Sequence, residues 1–445
     1  MPLNDAGTLD PAFGEGGIVS INVPGYHLPT VTAVLSSGVG TDRKIYVTGW
    51  CESTWENVYL YFLSRLDSNG IPDNTFGDAG LITGRFPHMD HSRILSLALQ
   101  DDGKIVLSGN TFPAEHSQQP ALVRYNNDGL LDKTFGVGGY CILDLPLSPP
   151  AGNPPLEEHA EHVRSTKSIA DYPAEPSRVE ILPDGKILLF DYVDMRDQGV
   201  GVIIRLDKNG VLDTDFNQIG YIQVMHPDYI WGNTRLRNLL VQPDGKYLGC
   251  GSLFSTTKLT AAMFVRYDSS GNPDLTFGKK GFVTFDIGED GIGLENIIHM
   301  ECMAEQPNRR ILGAGYTSGD RGLMTSIEPD GSFNIQFNKG KPLYTMLEPE
   351  LNTRWTDVAI QKDGRILVVG GTYLERAPER LYDIVVARYI NEQLDPAFND
   401  GKGWVKLRIG NGLQYATGVM LQDDGKILVC AQTADNKGTL LRFHA

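Results

Sequence analysis

Five cysteines, Cys51, Cys141, Cys250, Cys302 and Cys430, stand far apart and are odd in number. They make no CxxC pair and no disulfide framework, which fits reduced thiols and a cytoplasmic location. Basic residues are in deficit: 39 Lys and Arg face 55 Asp and Glu, a formal net charge of -16. That argues against a nucleic-acid backbone or an anionic membrane as the main partner, because both need a basic surface. No apolar run approaches the ~18 residues of a membrane span. Met1 to Asp5 carries neither the basic nor the apolar segment of a secretory signal, so only a non-classical route of export stays open. A nucleophile elbow, a glycine-rich phosphate loop and a zincin sequence are all missing.

Present in excess are turn formers: 50 Gly and 25 Pro in 445 residues, about a sixth of the chain against a usual share of roughly 12%. Hydrophobic residues at 41% supply a packed core and exclude wholesale disorder. At the usual ~150 residues per domain the length suggests three domains, but a repeat overrides that count. Leu9-Asp10-Pro11-Ala12-Phe13-Gly14 returns as Leu131-Asp132-Lys133-Thr134-Phe135-Gly136. Its aromatic falls at Phe13, Phe76, Phe135, Phe216, Phe277, Phe337 and Phe398. A second phrase, Asp102-Gly103-Lys104, recurs at Asp184, Asp244, Asp363 and Asp424, with degenerate copies at Asp42 and Asn308. A third carries Arg65, Arg124, Arg205, Arg266, Arg388 and Arg442, with Ser326 in the fifth copy.

Each unit of about 60 residues reads as four short strands, A to D. An Asp-Gly turn joins A to B, because Gly supplies φ > 0 and Asp tolerates it. Strand C carries the Arg, and the Phe-Gly phrase turns the chain into D. Four strands at this spacing predict propeller blades. Residues 17–21 read as the outer strand of the last blade, so that residues 1–22 complete it. These three phrases, at this spacing, resemble the bacterial delta-60 repeat family of β-propellers. The resemblance implies a propeller and brings no established reaction or ligand.

The expected architecture is all-β: one domain over residues 1–445, a seven-bladed propeller of four-stranded antiparallel blades closed by the N-terminal strand. Residues 145–176 form an insertion between blades two and three. The recurring Asp reads as a turn residue pairing with the strand-C Arg, and the recurring Phe as a plug between blades. Cys250 and Cys430 share one place in strand B and read as core filler.

Unique chemistry is expected on the other face, where the D–A and B–C loops vary. Most of the His and Trp residues fall there, including Trp55, Trp231 and Trp355. Counting back from the end of strand A gives a channel-mouth position: Arg93, Glu175, Arg235, His299, Arg354 and Tyr415 in blades two to seven, and roughly Pro29 in the first. Three arginines in an acidic protein call for an anion or for local neutralisation by Glu175, Glu301 and Asp357. No cofactor is expected. Were a metal bound, His88 with His91 and His159 with His162 are the candidate ligands, though neither spacing matches a known zinc motif. The leading reading is a non-enzymatic binding or interaction module for a protein or a small anionic ligand. A propeller hydrolase or lyase with a central metal or paired carboxylates, and a lectin, are the alternatives.

Overall fold

The computed structural model describes residues 5–53, 58–89, 91–112, 118–147, 177–195, 198–228, 232–255, 261–285, 298–317, 321–349, 351–373, 382–410, 413–433 and 437–445. The regular structure of these residues is almost wholly β-strand, joined by turns and short 3-10 segments, with no helix long and apolar enough to cross a membrane.

The second unit shows the common pattern. Strand A, His91–Leu99, pairs antiparallel with B, Ile105–Phe112; B pairs with C, Gln119–Tyr125; and C pairs with D, Tyr140–Ile142. The same order recurs along the chain. The third and fourth units lie in one eight-stranded sheet, joined by the single parallel pair Val200–Thr234. The sixth unit has a fifth, two-residue strand, Gln393–Leu394, in its C–D turn. Ile18–Ile21 pairs antiparallel with Gly438–Phe443, Ile18 opposite Leu441, so the N-terminal strand lies outermost in the C-terminal sheet. This is a β-propeller arrangement.

Most A strands break register at one place: between Val31 and Ala33, Ile94 and Ser96, Leu236 and Asn238, Met300 and Cys302, Trp355 and Asp357, and Ala416 and Gly418. Three of these bulges turn a threonine toward the next unit. Thr32 donates to Ile94 O at 2.9 Å, Thr356 to Ala416 O at 2.7 Å, and Thr417 to Val31 O at 3.0 Å.

The core lies between units and not at one centre. Val106 and Leu122 of the second unit share a cluster with Leu189 and Val202 of the third; Leu428 and Leu440 of the last share one with Val47 and Phe62 of the first. The recurring Phe residues are buried in these joints, six of them completely and Phe337 at 6% exposure. Phe135 packs on Gly210 of the following unit, where φ is +88° and a Cβ would stand 2.8 Å from the ring. Glycine there satisfies both the left-handed turn and the close approach.

The residue after each Phe donates its N–H to the C–D turn of the next unit. Gly77 donates to Asp128 O, Gly136 to Asn209 O, Asn217 to Ser270 O and Gly278 to Asp330 O. Asn399 donates to Ala6 O and Gly14 to Asn69 O, so the N-terminal turn is bonded on both sides. In the fifth unit Asn338 uses the Glu392 carboxylate instead.

The strand-C arginines serve the same joints. Arg124 Nε donates to Asp132 at 2.8 Å, its guanidinium lies 4.7 Å over Phe135, and Nη1 donates to Lys208 O of the next unit. The same trio recurs in Arg65, Arg205, Arg266 and Arg442. Each Asp also caps the backbone two residues on, as Asp132 does for Thr134 N at 3.1 Å. Burial works to raise the Asp132 carboxyl, but the Thr134 donors and Arg124 outweigh it and hold it below the ordinary value. In the fifth unit both members change together: Asn334 Nδ2 donates to Ser326 Oγ at 3.0 Å, a neutral replacement for the ion pair.

Candidate functional site

The repeated residues are thus absorbed by the joints, leaving the start of strand A and the end of strand B as the variable level. Register places Arg93 opposite Asn110, Arg235 opposite Ser252, His299 opposite Tyr316, Arg354 opposite Gly371 and Tyr415 opposite Gln432. These residues do occupy one equivalent position, two places before the bulge. In the first unit that position is Thr30, opposite Trp50, and not Pro29, because Tyr26–Ser37 carries a second irregularity between His27 and Thr30.

Each arginine reaches toward the preceding unit and lies on an aromatic ring there. Arg93 stands 4.9 Å over Trp50 and 4.5 Å over Tyr59. Arg235 stands 5.2 Å over Tyr192. Arg354 stands 4.7 Å over Tyr316 and 5.2 Å over Tyr373 of its own unit, whose hydroxyl accepts from Nη2 at 3.1 Å. Trp50, Tyr192 and Tyr316 are each six residues beyond the basic residue of the A–B turn, in the first, third and fifth units; the arginines are in the second, fourth and sixth. Where the sixth unit has Gly371 in place of a ring, Tyr415 of the seventh fills the space, 3.1 Å from where a Cβ would lie.

Burial differs among them. Arg93 is 2% exposed, and burial pulls its basicity below the ordinary value, opposed by Tyr59. Arg235 and Arg354 are half-buried. The fifth and sixth units build a continuous stack: His299 lies 4.7 Å from Tyr316 at an interplanar angle of 17°, Tyr316 faces Arg354, Arg354 faces Tyr373, and Tyr373 lies 4.3 Å from Tyr382. Burial, with Tyr382 nearby, raises the Tyr415 hydroxyl. The structure therefore brings His299, Arg354 and Tyr415 into one neighbourhood and seats Arg93 and Arg235 in ring clusters of their own. Trp355 follows Arg354 and points the other way, fully buried in the core, where it packs rather than faces solvent. Trp55, Glu175, Trp231, His159, His162 and most of the 145–176 insertion lie outside the described residues.

The acids expected to neutralise the mouth arginines are occupied elsewhere. Glu301 pairs with Arg237 at 3.7 Å. Asp357 accepts from Val358 N and Val419 N, each at 2.9 Å; burial raises its carboxyl, with those N–H groups and Arg178 working against it. His91 Nδ1 accepts from Tyr59 N at 3.3 Å, and its ring lies 5.0 Å from that tyrosine, while His88 is exposed in a turn. Among the described residues no group of three His, Cys, Asp or Glu could hold a metal ion. All five cysteines are free and buried, and burial pushes the Cys51 and Cys141 thiols up to about 12.

The rings Tyr59, Tyr192, Tyr316, Tyr373 and Tyr382 are the members that sequence reasoning missed. For Tyr192 and Tyr316 a signal was present, shared with Trp50: an aromatic at a fixed place in one unit, followed by an arginine at a fixed place in the next.

Residues 100–135 match the model of a family described as a domain of unknown function (DUF5122) beta-propeller. No curated protein matches the chain. Among solved structures, Sqt1 from Chaetomium thermophilum is similar at 13% identity and a TM-score of 0.46, over 94% of this chain and 97% of that one. The α-L-arabinofuranosidase Arb93A from Fusarium graminearum is similar at 11% identity and 0.43, over 84% and 98%. Drosophila Semaphorin 2a is similar at 10% identity and 0.44, over 99% and 76%. At these scores none of the three carries an activity to this chain.

Proposed function

We propose that residues 1–445 form a single closed seven-bladed propeller and that it acts as a non-enzymatic binding module for a protein or an anionic ligand. Closure is supported by the seven equivalent donors after the plug Phe, two of which, Gly14 and Asn399, bond the N-terminal turn to the first and sixth units. In this ring residues 1–22 complete the last blade, and the insertion falls in sequence between blades two and three.

The observation that carries the binding reading is the seating of Arg354 between Tyr316 and Tyr373. A guanidinium packed between two rings is restricted in orientation, and its planar N–H fork matches a carboxylate, phosphate or sulfate. Little side-chain freedom is then lost on binding. Arg235 repeats the arrangement on Tyr192. In this reading Arg235 and Arg354 contact the ligand, His299 and Tyr415 flank it, and buried Arg93 and Trp355 support the face. Trp55, Trp231 and Glu175, which lie outside the described residues, are assigned to the same ligand.

The test is calorimetric titration with phosphate, a sulfated sugar and a uronic-acid oligomer. The wild type should bind at least one of them. The Arg235→Ala/Arg354→Ala double variant should lose that binding with its melting temperature little changed. Arg354→Lys, which keeps the charge but not the plane, should weaken it about tenfold. Equal binding by all three proteins would sink the proposal.

A further inference from the structure

The outer ends of adjacent units leave a gap that the chain usually fills with its own side chains. Between the first and second units Phe86 meets Tyr140, with ring centroids 6.1 Å apart. Between the third and fourth His226 meets Phe282 at 4.7 Å. Between the second and third the filler is an extended strip: Leu145 and Leu147 pack on the cluster of Leu206 and Tyr221, and the Tyr221 hydroxyl donates to Pro146 O at 3.2 Å.

The joint between the last unit and the first differs. The residue equivalent to Phe86 and His226 is the smaller Val23, and Leu81 stands where Tyr140, Tyr221 and Phe282 stand elsewhere. A groove of about 930 Å³ lies at this joint, lined by Ile18, Val19, Pro24, Tyr26, Leu66 and Leu81 among others. Leu66 and Leu81 occupy the places that Leu206 and Tyr221 take beneath Leu145 and Leu147. The lining includes two carboxylates, Glu15 and Asp78, both exposed, and no cation.

We propose that this groove is a docking site for an extended apolar segment of a partner protein, of the form Leu-x-Leu-Pro-Leu, with a basic residue at x. The chain's own Leu143–Leu147 strip, seated in the equivalent gap two joints away, shows the shape such a gap takes. Glu15 and Asp78 set the charge of the occupant, since a cation beside them is attracted and a carboxylate repelled. The occupant runs between two outer strands, and alternate side chains supply the apolar contact. The groove lies on the rim of the propeller, apart from the arginine–ring clusters, so either proposal can fail alone.

The test is fluorescence anisotropy on the full chain with two labelled peptides, Leu-Lys-Leu-Pro-Leu and Leu-Asp-Leu-Pro-Leu, each capped at both ends. The lysine peptide should saturate and bind at least about fivefold tighter than the aspartate peptide. Ser20→Trp, which places a ring in the groove from an exposed position, should abolish binding while leaving the melting temperature unchanged. Asp78→Lys, which leaves Glu15 facing a cation, should abolish the preference between the peptides. Should Ser20→Trp disturb folding, the loss of preference in Asp78→Lys still decides the matter. Absence of saturable binding to the wild type, binding that survives Ser20→Trp in the folded protein, or an unchanged preference in Asp78→Lys overturns the proposal.

Discussion

The Arg124–Asp132 pair and its neutral counterpart in the fifth unit define a double-mutant experiment. Both side chains of the pair are almost fully buried, at 3% and 6% exposure. Asp132→Asn removes the countercharge and leaves Arg124 buried over Phe135 with its Nε donor opposite an amide. Breaking a buried pair in this one-sided way costs about 3–5 kcal/mol. Unfolding entropy of about 2.1 cal/mol/K per residue gives roughly 0.9 kcal/mol/K for a chain of this length, so the melting temperature should fall by about 3–5 °C. Arg124→Ser alone should cost a similar amount, since it also loses the bond to Lys208 O. The double variant Asp132→Asn/Arg124→Ser recreates the Asn334–Ser326 pair. It should be more stable than the sum of the single costs allows, by about 1–3 kcal/mol of coupling. Differential scanning calorimetry on the four proteins closes the cycle. Additive losses, or an Asp132→Asn variant that melts with the wild type, would refute the view that these pairs clasp neighbouring units.

Phe135→Ala empties a joint of a fully buried ring and should lower the melting temperature by about 3–5 °C, while calorimetric anion binding stays unchanged. The paired aspartates, Asp10, Asp73, Asp132, Asp213, Asp274 and Asp395, are all held below the ordinary value. Because the folded values are the lower ones, their stabilisation is complete above the unfolded value of about 3.9 and is lost as pH falls below it. Acid denaturation followed by circular dichroism should therefore steepen below about pH 4, and less so in Asp132→Asn. Deleting residues 1–22 removes the outer strand paired with Gly438–Phe443 and bares a strand edge, so light scattering should show aggregation. With all five thiols buried, Ellman's reagent should label none in the native protein and five after denaturation.

The repeat made the scaffold legible because each recurring residue answers a recurring joint. Phe135 was readable as a plug and Asp132 as the partner of Arg124. The strand limits were close as well: Gly17 to Ile21 was expected where Ile18–Ile21 is found. The shared register position in strand A was found by counting, except in the first unit, where an extra irregularity shifts it from Pro29 to Thr30. What the arginines rest on was harder to see. Arg93 and Trp50 are 43 positions apart in sequence, and only the packing of one unit on the next makes them neighbours. Counting charges suggested Glu301 and Asp357 as their neutralisers, yet Glu301 pairs with Arg237 and Asp357 accepts from backbone N–H groups. A count of residue types carries no direction, and side-chain direction decided this site.

The alternation of rings and arginines also sorts the joints into two kinds. The first and second, third and fourth, and fifth and sixth units are stapled by a described arginine–ring stack; the joints between the second and third and between the fourth and fifth show none among the described residues. A chain cut at the latter joints would yield fragments whose stacks are intact and which present matched surfaces for reassembly. A cut inside a stapled pair would leave an arginine on one fragment and its ring on the other. The 145–176 insertion falls in sequence between the second and third units, where the described residues carry no such stack.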